Sequence, residues 1–198
     1  MSIEDIHHIK TFKDVRKYIK DNKKMLKHFK QMDKYGGLAG SGDYGKVWVV
    51  NNRLVLKITT EPIEIEHANM LLGHPTKGFL RIYQSVETEK FQLRLQELCF
   101  PIKNRDLFLK LPNSAKEIIE DTVEDYSSFR KSAEEIFARH HIDVSKLDEK
   151  DYKDTFDFLS RLLSDYTKFN LPDDFEDLDL NSGNIMKRKD GTIVAVDF

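Results

Sequence analysis

Cysteine is nearly missing from this sequence: Cys99 is the only one among 198 residues. A disulfide framework and a multi-cysteine zinc site are excluded, and a lone thiol suits a reducing compartment. Long apolar runs are missing too. No stretch approaches the ~20 apolar residues of a membrane span, and the opening Met1-Ser2-Ile3-Glu4-Asp5 is no signal peptide. A cytoplasmic chain with no membrane contact is therefore expected. Neither sign of charge dominates, since 32 Lys and Arg stand against 34 Asp and Glu. That balance argues against a dedicated nucleic-acid binder. There is no internal repeat and no low-complexity tract. The histidine pairs His7-His8 and His140-His141 do not read as metal ligands, because adjacent residues point apart on a helix. What is present is 33% charged residues and thirteen Phe, the composition of a folded chain with a heavily charged surface. Its length exceeds a typical domain of ~100–150 residues but not two of them.

Patterning divides the chain. Over residues 11–32 the apolar Phe12, Val15, Ile19, Leu26 and Phe29 recur at helical steps, and Thr11 with Asp14 comes close to a capping box. The opposite face carries Lys13, Arg16, Lys17, Lys20, Lys23, Lys24, Lys27 and Lys30. It reads as a solvated face, with a phosphate-rich partner as the other reading. Glycines at 36, 37, 40, 42 and 45 precede β-rich runs at 46–50 and 54–58, a natural hairpin. A short helix is expected over 64–72, ended by Gly73 and Pro75, then strands over 79–86 and 91–98. Helices are expected over 114–122, 126–140 and 149–169, and short strands at 185–186 and 193–196. The result is an α+β protein with two unequal lobes: a helical extension over 1–35, a β-rich lobe over 36–98 and a helical lobe over 99–198.

Three places carry chemistry. Gly40-Ser41-Gly42-Asp43-Tyr44-Gly45 has glycines at spacings that let backbone amides approach phosphate oxygens. It precedes a strand pair, whereas a dinucleotide-binding turn follows a strand and opens a helix. Lys57 lies inside the apolar run Val55-Leu56-Lys57-Ile58, where a buried ammonium needs an anionic partner. Glu64 and Glu66 on the next helix can each supply one. The tail holds Asp179, Asn184 five residues later and Asp197 thirteen beyond that. Hard oxygen donors of this kind suit Mg²⁺ and a nearby carboxylate base, although a lone Asp or Asn more often serves a turn or a cap.

In this order the features resemble the protein-kinase-like superfamily. Asn181-Ser182-Gly183-Asn184-Ile185-Met186 is especially similar to the catalytic loop of the short serine/threonine kinases of tailed bacteriophages, and also to that of aminoglycoside and choline kinases. The resemblance implies a protein-kinase-like fold with a β-rich N-lobe, a truncated helical C-lobe and an N-terminal helix. It implies that Gly40, Ser41, Gly42 and Gly45 cover ATP phosphates and that Lys57 holds the α- and β-phosphates. Glu66 pairs with Lys57, with Glu64 a close second. Val47 and Val55 face the nucleotide, Gln96 gates the adenine pocket, and Glu97 to Cys99 form a hinge whose backbone meets the base. Asp179 orients the acceptor hydroxyl, and Asn184 and Asp197 bind Mg²⁺. If Val47, Val55 and Lys57 face one nucleotide, the hairpin loop must be the odd run 51–53, which sets Val47 opposite Lys57.

The sequence departs from the family at Asp177, where His or Tyr is usual, and at Leu178, where regulated kinases have Arg. It carries Asp197 one residue before its last, Phe198, so a kinase-like chain that lacks the activation segment and the large closing helices is expected. The resemblance implies a phosphotransferase acting on a protein hydroxyl, in a host cytoplasm if phage-encoded. A small-molecule kinase or nucleotidyl transferase, and a pseudokinase that binds a partner protein, are the alternatives.

Overall fold

The computed structural model describes residues 6–22, 38–41, 45–50, 52–102, 125–139, 141, 147–171, 180 and 183–196. The chain divides into two compact units, Met1–Pro75 with Arg81–Leu98, and Thr76–Leu80 with Cys99–Phe198. Together they make an α+β protein. Among the described residues no helix is long and apolar enough to cross a membrane.

The first unit holds helix α1 (Phe12–Asn22), strands β1 (Leu38–Ser41), β2 (Gly45–Val49) and β3 (Leu54–Thr59), helix α2 (Pro62–Leu71), and strands β4 (Ile82–Glu87) and β5 (Gln92–Glu97). The strands form one antiparallel sheet in the order β1-β2-β3-β5-β4. Strand β1, which takes in Gly40 and Ser41 of the glycine run, went unforeseen in the sequence. Side chains alternate across a strand, so the ladder rows Trp48–Leu56–Leu95 and Lys46–Ile58–Leu93 share one face. Leu54, Leu56, Ile58, Val86, Phe91, Leu93 and Leu95 build a core there with Ile6, Ile9, Val15 and Tyr18.

The N-terminal helix therefore packs on the sheet it was expected to precede. Its start is a capping box: the Asp14 carboxylate accepts from the Thr11 amide at 2.9 Å, and Thr11 Oγ1 accepts from the Asp14 amide at 3.3 Å. Lys13, Arg16, Lys17 and Lys20 are exposed on the opposite side, as a solvated face would be. The expected continuation over 23–32 lies outside the described residues.

The second unit contains β6 (Phe100–Pro101), helices α3 (Tyr126–Arg139) and α4 (Glu149–Phe169), and the hairpin β7 (Ile185–Lys187) and β8 (Ile193–Ala195). The helix expected over 114–122 lies outside the described residues. Helix α4 opens on a capping box between Asp148 and Asp151 and closes on Asn170 in the left-handed conformation, φ 48°. A strand was expected over 79–86, but β4 begins only at Ile82. Phe79 and Leu80 pair instead with β8, the Leu80 amide donating to the Ala195 carbonyl at 2.9 Å. Two buried charges hold this segment. The Asp165 carboxylate accepts from the amides of Lys77 at 2.6 Å and Gly78 at 2.7 Å. The Arg188 guanidinium donates to the carbonyls of Thr76 at 3.0 Å and Phe79 at 2.8 Å. Gly78 is obligatory for close approach, since a Cβ there would collide with the backbone of Leu162.

Packing of α1 on the sheet sets an expected outcome. Tyr18→Ala empties a buried site and costs about 3 kcal/mol, whereas Lys17→Ala on the exposed face costs under ~0.5 kcal/mol. Chemical denaturation of the two variants measures the difference, and equal stabilities would show that α1 does not close the sheet.

Candidate functional site

The site begins with a hairpin register. The Val50 amide donates to the Leu54 carbonyl at 2.9 Å, closing a loop that leaves residues 51–53 between them. This odd loop sets Val47 opposite Lys57, the pairing expected if both were to face one nucleotide. On its other side Lys57 stands opposite Arg94 of β5. Alternation then gathers the rows Gly45–Thr59–Gln92, Val47–Lys57–Arg94 and Val49–Val55–Gln96 on one face, away from the α1 core. This face is polar in its middle and buried. Lys57 is 5% exposed, Arg94 0% and Thr59 0%.

Helix α2 supplies the anion. Two residues separate it from β3, and Pro62 stands in its first turn, where the missing N–H costs nothing. Glu64 sits in that first turn, where the helix dipole favours a negative charge. Its Oε1 accepts from both Lys57 Nζ and Arg94 Nη2, and its Oε2 accepts from Thr59 Oγ1 at 2.7 Å. Arg94 is aimed by a bond from its Nε to Gln96 Oε1 at 2.6 Å. Burial pushes the Glu64 carboxyl up, but the charges of Arg94 and Lys57 and the bonds from Lys57 and Thr59 outweigh it. They hold it at about 2, below the ordinary 4.5.

This corrects the expected pairing. Glu66 was to face Lys57, but Glu66 is exposed and Glu64 is the partner. Two residues turn an α-helix by about 200°, so only one of the pair can face the sheet. Arg94 was not foreseen. Its signal was in the alternation Gln92-Leu93-Arg94-Leu95-Gln96, a cation inside a buried strand that needed a partner as much as Lys57 did.

The remaining expected residues fall as follows. Gly40 and Ser41 pair with Val47 and Lys46 at the end of the β1–β2 ladder, and Gly42 lies outside the described residues. Gly45 has a structural requirement: a Cβ there would stand 2.7 Å from the Ile58 carbonyl oxygen and 3.6 Å from Lys57 Cε. Val47 and Val55 pack with Val49 and Leu98 in a small apolar cluster. Gln96 is buried and engaged by Arg94. Two amides of the expected hinge are engaged within the first unit. The Glu97 amide bonds the Arg81 carbonyl at 2.9 Å and the Leu98 amide the Arg53 carbonyl at 2.8 Å, so neither N–H is the one to meet a base. Cys99 is half-buried.

In the second unit Asn184 is half-buried in the turn before β7. The β7–β8 hairpin, turned at Gly191 with φ 93°, brings the Val196 amide to the Asn184 carbonyl at 2.8 Å. That hairpin accounts for the long sequence gap between Asn184 and Asp197. Asp179 and Asp197 lie outside the described residues. Among the described residues no cluster of three or more His, Cys, Asp or Glu could hold a metal ion. No protein-family model and no curated protein matches this chain.

The Glu64 carboxyl has a folded-state value below its unfolded one, so its stabilisation is complete above about pH 4.5 and is lost as pH falls toward 2. The shift corresponds to about 3 kcal/mol. Glu64→Gln is expected to cost a similar amount at pH 7 and to flatten the acid limb of a stability–pH curve, while Glu66→Gln changes neither. Urea denaturation between pH 2 and 7 checks both.

Proposed function

We propose that this chain is an ATP- and Mg²⁺-dependent phosphotransferase of protein-kinase-like fold that moves the γ-phosphate of ATP to a hydroxyl of a protein. The observation that carries the reading is the buried ion pair of Lys57 on the third strand with Glu64 on the helix that follows. A strand lysine paired with a helix glutamate is what an active kinase must assemble around the α- and β-phosphates. Two further observations support it. Gly40 and Ser41 of the glycine run end the first strand, and Gly45 opens the second, in the same sheet as Lys57. Val47 and Val55, apolar and on the Lys57 face, suit the flat side of a base.

The roles follow from chemistry. Lys57 binds the phosphates as a point charge, and Glu64 fixes where its ammonium stands. Asn184 and Asp197 are the hard oxygen donors to hold Mg²⁺, which when bound neutralises charge on the phosphate oxygens. Asp179 would accept the proton of the acceptor hydroxyl as that oxygen bonds to the γ-phosphorus and the bond from that phosphorus to the bridging oxygen breaks, releasing ADP. Catalysis is then mostly positioning and charge stabilisation.

Calorimetry with Mg·ATP and transfer of labelled γ-phosphate to proteins test the reading together. Lys57→Ala is expected to weaken Mg·ATP binding. Asp179→Asn keeps the affinity and lowers turnover by about 10²–10⁴-fold, the span of a lost general base. Tight Mg·ATP binding with no transfer to any protein or small molecule would replace the enzyme by a nucleotide-binding pseudokinase.

A further inference from the structure

Arg94 has no assigned part in phosphate binding, and with no solvent exposure it cannot touch a ligand. Its bonds nevertheless converge on one residue. Nη2 donates to the Glu64 carboxylate, and Nη1 reaches the Glu64 main-chain carbonyl at 3.4 Å. Gln96 Oε1, at 2.6 Å from Nε, fixes the plane of the guanidinium. Arg94 thus grips Glu64 by side chain and backbone together, through two nitrogens of a rigid planar fork where a lysine has one on a flexible stem.

Register explains the need. Lys57 and Arg94 stand directly opposite each other in the β3–β5 ladder, and like charges so placed repel. The Glu64 carboxylate between them converts that repulsion into a shared pair. An arginine cannot give up its proton, so its hold on the carboxylate persists whatever Lys57 does. The link from β3 to α2 adds to it: Thr59 Oγ1 donates to Glu64 and accepts from the Glu61 amide at 3.2 Å, tying strand end and helix start.

We propose that Arg94 is a positioning residue that clamps Glu64 and helix α2 to the sheet, so that the Lys57 ion pair stands assembled before a nucleotide arrives. The clamp on α2 stands on the geometry alone; its service to nucleotide binding rests on the proposed function. A chain built this way has no use for a swing of α2 as a switch.

Hydrogen exchange and Mg·ATP affinity, measured on the full chain, separate the two. Without nucleotide, Arg94→Met is expected to speed exchange of the α2 amides by at least ~10-fold relative to Leu56 and Leu93 in the sheet, since a buried carboxylate has lost one of its two cations. Arg94→Lys gives a smaller rise, and Glu66→Gln gives none. Unchanged α2 exchange overturns the proposal, and so does equal acceleration throughout the sheet, which marks a general packing role. With α2 loosened, Mg·ATP is expected to bind at least ~10-fold more weakly in Arg94→Met, with part of the loss recovered in Arg94→Lys. Unchanged affinity would overturn the service to Lys57. A wild-type chain that binds no nucleotide sinks the proposed function, and the exchange measurement still decides the clamp. Should Arg94→Met fail to fold, Arg94→Lys decides alone: its one nitrogen cannot stand where Nε, Nη1 and Nη2 each stand, so α2 exchange rises several-fold, and no rise refutes it.

Discussion

One carboxylate organises the first unit. Glu64 takes two buried cations on one oxygen and a buried hydroxyl on the other. Lys57 and Arg94 come from strands that are neighbours in the sheet but far apart in sequence, and an unpaired charge at either position would be costly to bury. Helix α2 must therefore present Glu64, and not Glu66, to the sheet cations. The short link after Thr59 and the proline in the first turn leave the helix little other choice of start. Strand register, helix phase and link length all satisfy the same three side chains.

That constraint divides the sheet into two faces of different physics. On one, leucine, isoleucine and valine pack against the N-terminal helix, and the stabilisation is non-directional. Substitutions of similar volume there are tolerated best. On the other, lysine, arginine, glutamate, threonine and glutamine hold one another by directed bonds, and removal of any one strands its partners. The second unit uses buried charge differently. Asp165 and Arg188 spend theirs on the backbone of Thr76–Leu80. Asp165 takes amides and Arg188 takes carbonyls, so the acid and the base divide the polar groups of a segment that lies outside the named strands.

Local sequence carried much of this and long-range pairing carried the rest. Helix α4 was legible from end to end: the expected 149–169 are its observed bounds, and the Asp148–Asp151 box fixes its start. The three-residue hairpin loop was legible because facing Val47 and Lys57 required an odd number. The choice between Glu64 and Glu66 turned on where α2 begins, which the sequence marked only through Pro62. Arg94 was missed because its meaning depends on the β3–β5 register, and nothing local to 92–97 specifies that. The run Phe79-Leu80 reads as the start of a strand, yet its partner is Ala195, more than a hundred residues away. Asp165 reads as one more charge on the polar side of a helix; only its contact with the Lys77 and Gly78 amides shows otherwise.

On the proposed function, the shared carboxylate also has a consequence for how a nucleotide lysine works. A lysine that is the sole counter-ion of a buried glutamate must stay on it while it binds phosphate, because a carboxylate it left would be uncompensated, at a cost of several kcal/mol. Here Arg94 remains on the same oxygen of Glu64 and Thr59 on the other. The lysine can share its protons with an incoming phosphate while the carboxylate stays ionised and the helix stays in place. Two cations and one anion on a buried face also carry net positive charge, which favours an anionic ligand over a neutral one wherever the low dielectric strengthens the field. The arrangement thus supplies attraction for phosphate and a fixed origin for the lysine from the same three side chains, and it does so without asking α2 to move.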